Sequence, residues 1–153
     1  MKRTELTLIA IAILGFIIGL IGITGGSIFK TLSLGLLALI YFYLGFALFN
    51  NIRFRDLFKK NAYSQISKLR IFGAIATGMA LSVLTIGILF RIMDWEGAPV
   101  MLLVGLPICG IITITATVKY FVDKSPYYSG ILKRMVPFTI AGIIFTLSLP
   151  LPG

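Results

Sequence analysis

Along the chain, residues other than Lys, Arg, Asp and Glu run in five uninterrupted stretches, 6–29, 31–52, 71–90, 97–118 and 135–153. An α-helix rises about 1.5 Å per residue, so about 20 residues cross the roughly 30 Å hydrocarbon layer of a bilayer. The pattern predicts an all-α integral membrane protein, a polytopic bundle of about five transmembrane helices. The spans are expected near 6–26, 31–51, 71–90, 98–118 and 135–149, within one transmembrane domain over 1–153. The last is the shortest, because Pro137 stands in its first turn and Pro150 and Pro152 end it, which fits a short or tilted span.

The basic residues give a second, independent reading. Lys2 and Arg3 precede the first stretch. Arg53, Arg55, Lys59, Lys60, Lys68 and Arg70 separate the second from the third, and Lys119, Lys124, Lys133 and Arg134 separate the fourth from the fifth. The alternate connections hold only Lys30 and Arg91. Lys and Arg accumulate on the cytoplasmic side of membrane proteins. This asymmetry predicts basic cytoplasmic loops at 52–70 and 119–134, the N-terminus inside and the C-terminus outside. A leader-like start is present too, with Lys2 and Arg3 before an apolar run and small residues at Thr24–Ser27. The apolar core at 6–23 exceeds the roughly 7–15 residues of a secretory signal, so an uncleaved helix is expected.

Composition agrees with this frame and narrows the chemistry. Hydrophobic residues make up 58% of the 153 positions and charged residues 12%, with a mean hydropathy of +1.03, far from the balance of a soluble domain. The formal charge of +9 would suggest nucleic acid in a soluble chain. Here topology accounts for it, and no nucleic-acid partner is expected. With no histidine and the single cysteine Cys109, the chain offers no internal disulfide, no Cys/His metal cluster and no histidine-based triad. No cofactor and no enzymatic activity are expected.

Small residues recur at helical spacing. Gly15, Gly19, Gly22 and Gly26 fall on one face of the first predicted span, Ala74, Gly78 and Ser82 on the third, and Gly105 and Cys109, followed by Thr113 and Thr117, on the fourth. Such rows let helix backbones approach closely. They are expected to assemble the chain's own bundle, with the first face also suited to association with another subunit. Cys109 reads as a small packing residue. Tyr41, Phe42, Tyr43, Phe46 and Phe49 read as an interfacial aromatic belt. The segment 51–70 fits either a surface helix with Phe54, Leu57, Phe58 and Leu69 in the headgroups or an ordinary basic connector. In 119–134, Ser125-Pro126 and Gly130 mark a turn rather than a further helix.

The most distinctive segment joins the third and fourth stretches, where Arg91, Asp94, Trp95, Glu96, Gly97 and Ala98 stand in Phe90-Arg91-Ile92-Met93-Asp94-Trp95-Glu96-Gly97-Ala98. Arg91 and Asp94 are spaced to pair, Trp95 suits an interface, and Gly97 with Pro99 can end one helix and start the next. This segment, with Met101-Leu102-Leu103-Val104-Gly105-Leu106 after it, resembles the two-helix hairpin of the GldL family of gliding-motility and type IX secretion membrane proteins. That family shows phenylalanine-lysine-isoleucine-methionine-histidine-tryptophan-proline-glycine-alanine. Trp95, Gly97 and Ala98 agree, and Arg91 replaces lysine. Asp94 stands at the histidine and Glu96 at the proline. The likeness covers roughly 71–118. It implies a bacterial inner-membrane location and membrane-protein partners.

The resemblance also implies a membrane-embedded motor glutamate after the glycine-leucine pair and a long cytoplasmic tail. This sequence has Pro107-Ile108-Cys109 after Gly105-Leu106 and no acid from 97 to 118. Proton-driven work needs a titratable group within the membrane, so a relative of the hairpin rather than a motor stator is expected. The leading expectation is a non-enzymatic inner-membrane protein acting through helix packing, as a homo-oligomer or with larger membrane partners in the lipid bilayer. The alternative is a small transporter or channel, hinted at by Pro107 and by Thr113, Thr115 and Thr117.

Overall fold

The computed structural model describes residues 2–21 and 25–148. It contains five α-helices: α1 (Lys2–Leu20), α2 (Gly26–Phe49), α3 (Lys68–Ile92), α4 (Ala98–Asp123) and α5 (Pro126–Leu147). Two short 3-10 turns, Phe54–Asp56 and Lys60–Tyr63, lie between α2 and α3. Among the described residues, α2, α3, α4 and α5 are long and apolar enough to cross a membrane, which marks a multi-pass membrane protein.

Helix α1 is not one of those four, and its limits differ from the expected span at 6–26. It ends at Leu20, and its first four positions include Lys2, Arg3 and Glu5. The apolar remainder, 6–20, rises about 22 Å, short of the roughly 30 Å hydrocarbon thickness. The expected four-glycine face is therefore not one helix face. Gly26 opens α2, after Gly25 at φ 104° as its N-cap, a conformation open to glycine because it lacks a Cβ. Gly22 lies outside the described residues, as does Leu149 at the end of the last expected span.

The second basic loop is also corrected. Helix α4 continues to Asp123 and α5 starts at Pro126, so 119–134 is almost wholly helical. Lys124 closes α4 at φ 46°, its N–H donating to the Tyr120 carbonyl at 2.9 Å. Ser125 caps α5, its Oγ accepting from the Tyr127 N–H at 3.3 Å. A proline at the first helical position removes an N–H that has no helical partner there. Pro126 thus starts a helix where the sequence reading expected a turn to persist. Pro137 consequently lies inside α5 rather than in its first turn.

The connector 51–70 forms no continuous surface helix. Asn51, at φ 59°, ends α2: its N–H donates to the Leu48 carbonyl while Ile52 N–H reaches Ala47 at 2.9 Å. This pairing of a 6→1 and a 5→2 bond is a Schellman cap. Successive i→i+3 bonds then carry the chain through Asp56, Leu57, Lys59, Ala62, Ser64 and Ile66. Polar side chains compete for the backbone: Ser64 Oγ donates to Asn61 O and Tyr63 OH to Leu57 O at 2.6 Å.

The chain forms two compact units, Met1–Ser82 and Val83–Gly153. In the first, α1 and α2 run antiparallel and meet at glycine. A Cβ on Gly15 would come 2.9 Å from Phe29 Cβ and 3.1 Å from the Gly26 carbonyl, and one on Gly26 would come 2.8 Å from Gly15 O and from Gly19 N. Gly45 of α2 faces Gly78 of α3, where a Cβ on Gly45 would lie 2.8 Å from Gly78 Cα. Leu37, Tyr41, Ala74 and Leu81 fill this core.

In the second unit Leu84 is the centre. A Cβ on Gly105 of α4 would come 3.1 Å from the Leu84 backbone, and one on Gly142 of α5 would come 2.7 Å from Leu84 Cδ1. Leu102, Cys109, Ile131 and Met135 are buried around it.

Candidate functional site

The hairpin between α3 and α4 is built as a helix stop, a short turn and a helix start. Trp95 N–H donates to the Phe90 carbonyl at 2.8 Å and Asp94 N–H to the Arg91 carbonyl at 3.3 Å. These are again the paired bonds of a Schellman cap, with Asp94 as the left-handed residue at φ 50°. Aspartate is among the few non-glycine residues that enter this region readily. The cap's usual apolar contact is present, with the Phe90 and Trp95 rings edge to face at 5.3 Å between centroids. Gly97, at φ 89°, caps α4, and Pro99 stands in its first turn.

Arg91 ties this turn to the far end of α5. Its Nη1 donates to Asp94 Oδ1 at 2.8 Å and its Nη2 to the Ser148 carbonyl at 2.8 Å. Arg91 thereby satisfies a carbonyl at the end of α5 that has no partner within its own helix. The Arg91–Asp94 pair is exposed on the Asp94 side, so it orients the loop more than it stabilises it. Glu96 and Gly97 are exposed, Ala98 is buried, and Trp95 keeps 44% of its surface accessible. From there α4 presents a one-sided apolar strip, including Val100, Leu103, Val104, Ile111, Ile114 and Val118, all exposed.

The small-residue positions fall into different settings. Gly15, Ala74, Gly78, Ser82, Gly105 and Cys109 are buried. A Cβ on Gly78 would collide with the Tyr41 carbonyl. Gly19 is exposed, and a Cβ there would meet the Lys30 side chain at 3.3 Å. Gly45, Gly87 and Gly142 make equally close approaches that the four-residue spacing did not single out. Their signal is the small residue itself within an apolar stretch, without a repeating row.

The aromatic cluster of α2 divides. Tyr43 and Phe42 are exposed, as an interfacial belt requires, whereas Tyr41 and Phe49 are buried. Tyr41 OH donates to Glu5 Oε1 at 2.9 Å. Glu5 itself is only 4% exposed, the one buried acid among the described residues. Sequence reasoning passed over it by taking every charge as the edge of an apolar stretch. The threonine hydroxyls of α4 donate to their own helix: Thr113 to Cys109 O at 2.7 Å, Thr115 to Ile111 O at 2.8 Å and Thr117 to Thr113 O at 2.8 Å.

Among the described residues no three His, Cys, Asp or Glu side chains gather where they could hold a metal ion. No known protein family matches the chain, and neither the curated proteins nor the solved structures contain a match.

Proposed function

We propose that this chain is a non-enzymatic bacterial inner-membrane protein that works by assembling with membrane partners, using a hairpin of the GldL type. The observation that carries the reading is the hairpin's construction. Its turn is fixed by Phe90, Arg91 and Asp94, while Trp95 stays partly open beside the exposed apolar strip of α4. A rigid turn presenting an aromatic ring and an apolar helix face suits packing against another membrane helix. In this reading all five helices lie in the membrane, with α1 as a short first span. The N-terminus faces the cytoplasm and the C-terminus the outside, in keeping with the uneven distribution of Lys and Arg.

Affinity purification of the tagged chain in mild detergent, followed by mass spectrometry, tests the assembly. A stoichiometric membrane-protein partner or a discrete homo-oligomer supports it, and recovery of an isolated monomer contradicts it.

The second reading is a small transporter or channel, and one observation favours it. An acid buried among apolar helices, as Glu5 is beside Tyr41, is the kind of group that ion pathways use. The internally bonded threonines of α4 offer no support for a wet path. Proton or cation flux in proteoliposomes that disappears in Glu5→Gln would favour transport over assembly.

A further inference from the structure

The connector between α2 and α3 contains a cavity of about 430 Å³, lined in part by Asn50, Arg53, Asp56, Lys59 and Asn61. It lies wholly within the first unit, where the Schellman cap at Asn51 turns the chain out of its helix. Ile52 and Ala62 also line it, so polar and apolar groups share the wall. Asn50 Nδ2 is spent on the Phe46 carbonyl at 2.7 Å, whereas Asn50 Oδ1 is buried with no hydrogen-bond partner. That oxygen is an acceptor in need of a donor. The segment 51–70 carries six basic residues against the single acid Asp56. Lys59 Nζ holds Asp56 Oδ1 at 2.9 Å. Arg53 is exposed, and among the described residues no hydrogen bond or ion pair is made by its side chain.

Apolar groups flank these charges. Phe58 is 99% exposed, and Phe54 and Leu69 are also exposed. A fully exposed phenylalanine between basic residues is poorly placed in water and well placed in the headgroup and upper acyl region of a bilayer. A segment that follows the end of a membrane-spanning helix lies at that depth. The combination of cations, a hydrogen-bond acceptor and protruding rings matches one class of molecule, an anionic phospholipid whose headgroup carries hydroxyls.

We propose that this cavity seats the headgroup of one anionic phospholipid of the phosphatidylglycerol class. Arg53 and Lys59 hold its phosphate, Asn50 Oδ1 accepts from a headgroup hydroxyl, and Phe54 and Phe58 enter the acyl layer beside it. Asp56 lines the same cavity and engages one donor of the Lys59 ammonium, which leaves its other N–H donors for the phosphate. The seat is independent of any protein partner, so it can stand or fall separately from the assembly reading.

Native mass spectrometry of the full chain, released from mixed vesicles of phosphatidylglycerol and phosphatidylcholine, tests it. The native protein should retain one phosphatidylglycerol in preference to phosphatidylcholine. Arg53→Gln with Lys59→Gln should lower that retention about thirtyfold, as expected for the loss of two basic contacts to an anionic membrane. Arg55→Gln with Lys68→Gln removes the same charge from outside the cavity and should lower it far less. Equal loss in both double variants would overturn the seat in favour of diffuse attraction. Retention of glycerol 1-phosphate as tight as that of the lipid would overturn the lipid assignment, and equal retention of phosphatidylcholine would overturn the role of charge.

Discussion

Phe90 and Trp95 meet edge to face, 5.3 Å between ring centroids, across the turn that ends α3. The same two residues share a backbone bond, Trp95 N–H to Phe90 O, so one pair fixes both the course of the main chain and the direction of the ring. Trp95→Ala removes the aromatic contact, worth about 0.5–1.5 kcal/mol beyond its buried area. It should lower the thermal stability of the purified protein modestly and reduce partner or oligomer recovery more strongly. Trp95→Phe should retain most of both.

The acids of the hairpin have a smaller part. Asp94 is 82% exposed on its side chain where it pairs with Arg91, and such surface pairs contribute about 0–1 kcal/mol. Asp94→Asn keeps a residue tolerant of the left-handed region. Together with Glu96→Gln it should leave insertion and melting temperature nearly unchanged and alter no proton flux in vesicles.

Glycine substitutions should separate tight crossings from open ones. Gly15→Ala forces the α1–α2 crossing apart and should cost about 1–3 kcal/mol. Gly35 has open space around its Cβ direction, so Gly35→Ala should stabilise by roughly 0.5–1 kcal/mol through helix propensity. Gly19→Ala should fall between them, because the Lys30 side chain can move. Reversible unfolding of the three variants in one detergent checks the order.

The buried pair in the first unit gives a further test. Tyr41→Phe deletes one donor to Glu5 and should destabilise the protein by about 1.5–3 kcal/mol, the range for a hydrogen bond to a charged group. Glu5→Gln retains an acceptor for Tyr41 and should cost less.

Acidity should matter little to the connector near neutral pH. The hydrogen bond from Lys59, aided by nearby Arg55 and Arg53, holds the Asp56 carboxyl below its ordinary value. A depressed carboxyl contributes above its unfolded value and loses that contribution only as the pH falls through the folded one. With no histidine in the chain, phosphatidylglycerol retention should be flat from about pH 5 to pH 8. A midpoint inside that range would contradict the assignment of the groups.

Much of the helical framework was legible in the apolar stretches, because hydrophobic length is a direct consequence of the bilayer. The Arg91–Asp94 pair was legible too, since a separation of three places both side chains on one side of a helix end. The helix limits were not. The stretch 6–29 shows no charge at the break near Gly25, where a backbone conformation ends the pattern without changing its hydropathy. Ser125-Pro126 carries the same letters whether it prolongs a turn or opens a helix, and the Ser125 cap decides for the helix. Glu5 was invisible for a different reason. Its burial depends on Tyr41, thirty-six positions away, and no local pattern announces that contact.

Photo-crosslinking in native membranes tests the central claim most directly, with a photoreactive residue at the exposed position of Leu103 on α4. The assembly account predicts a discrete protein adduct, a second copy or a larger membrane protein, whose yield falls when Trp95→Ala is added. Adducts with lipid alone, together with a cation flux that requires Glu5, would contradict it.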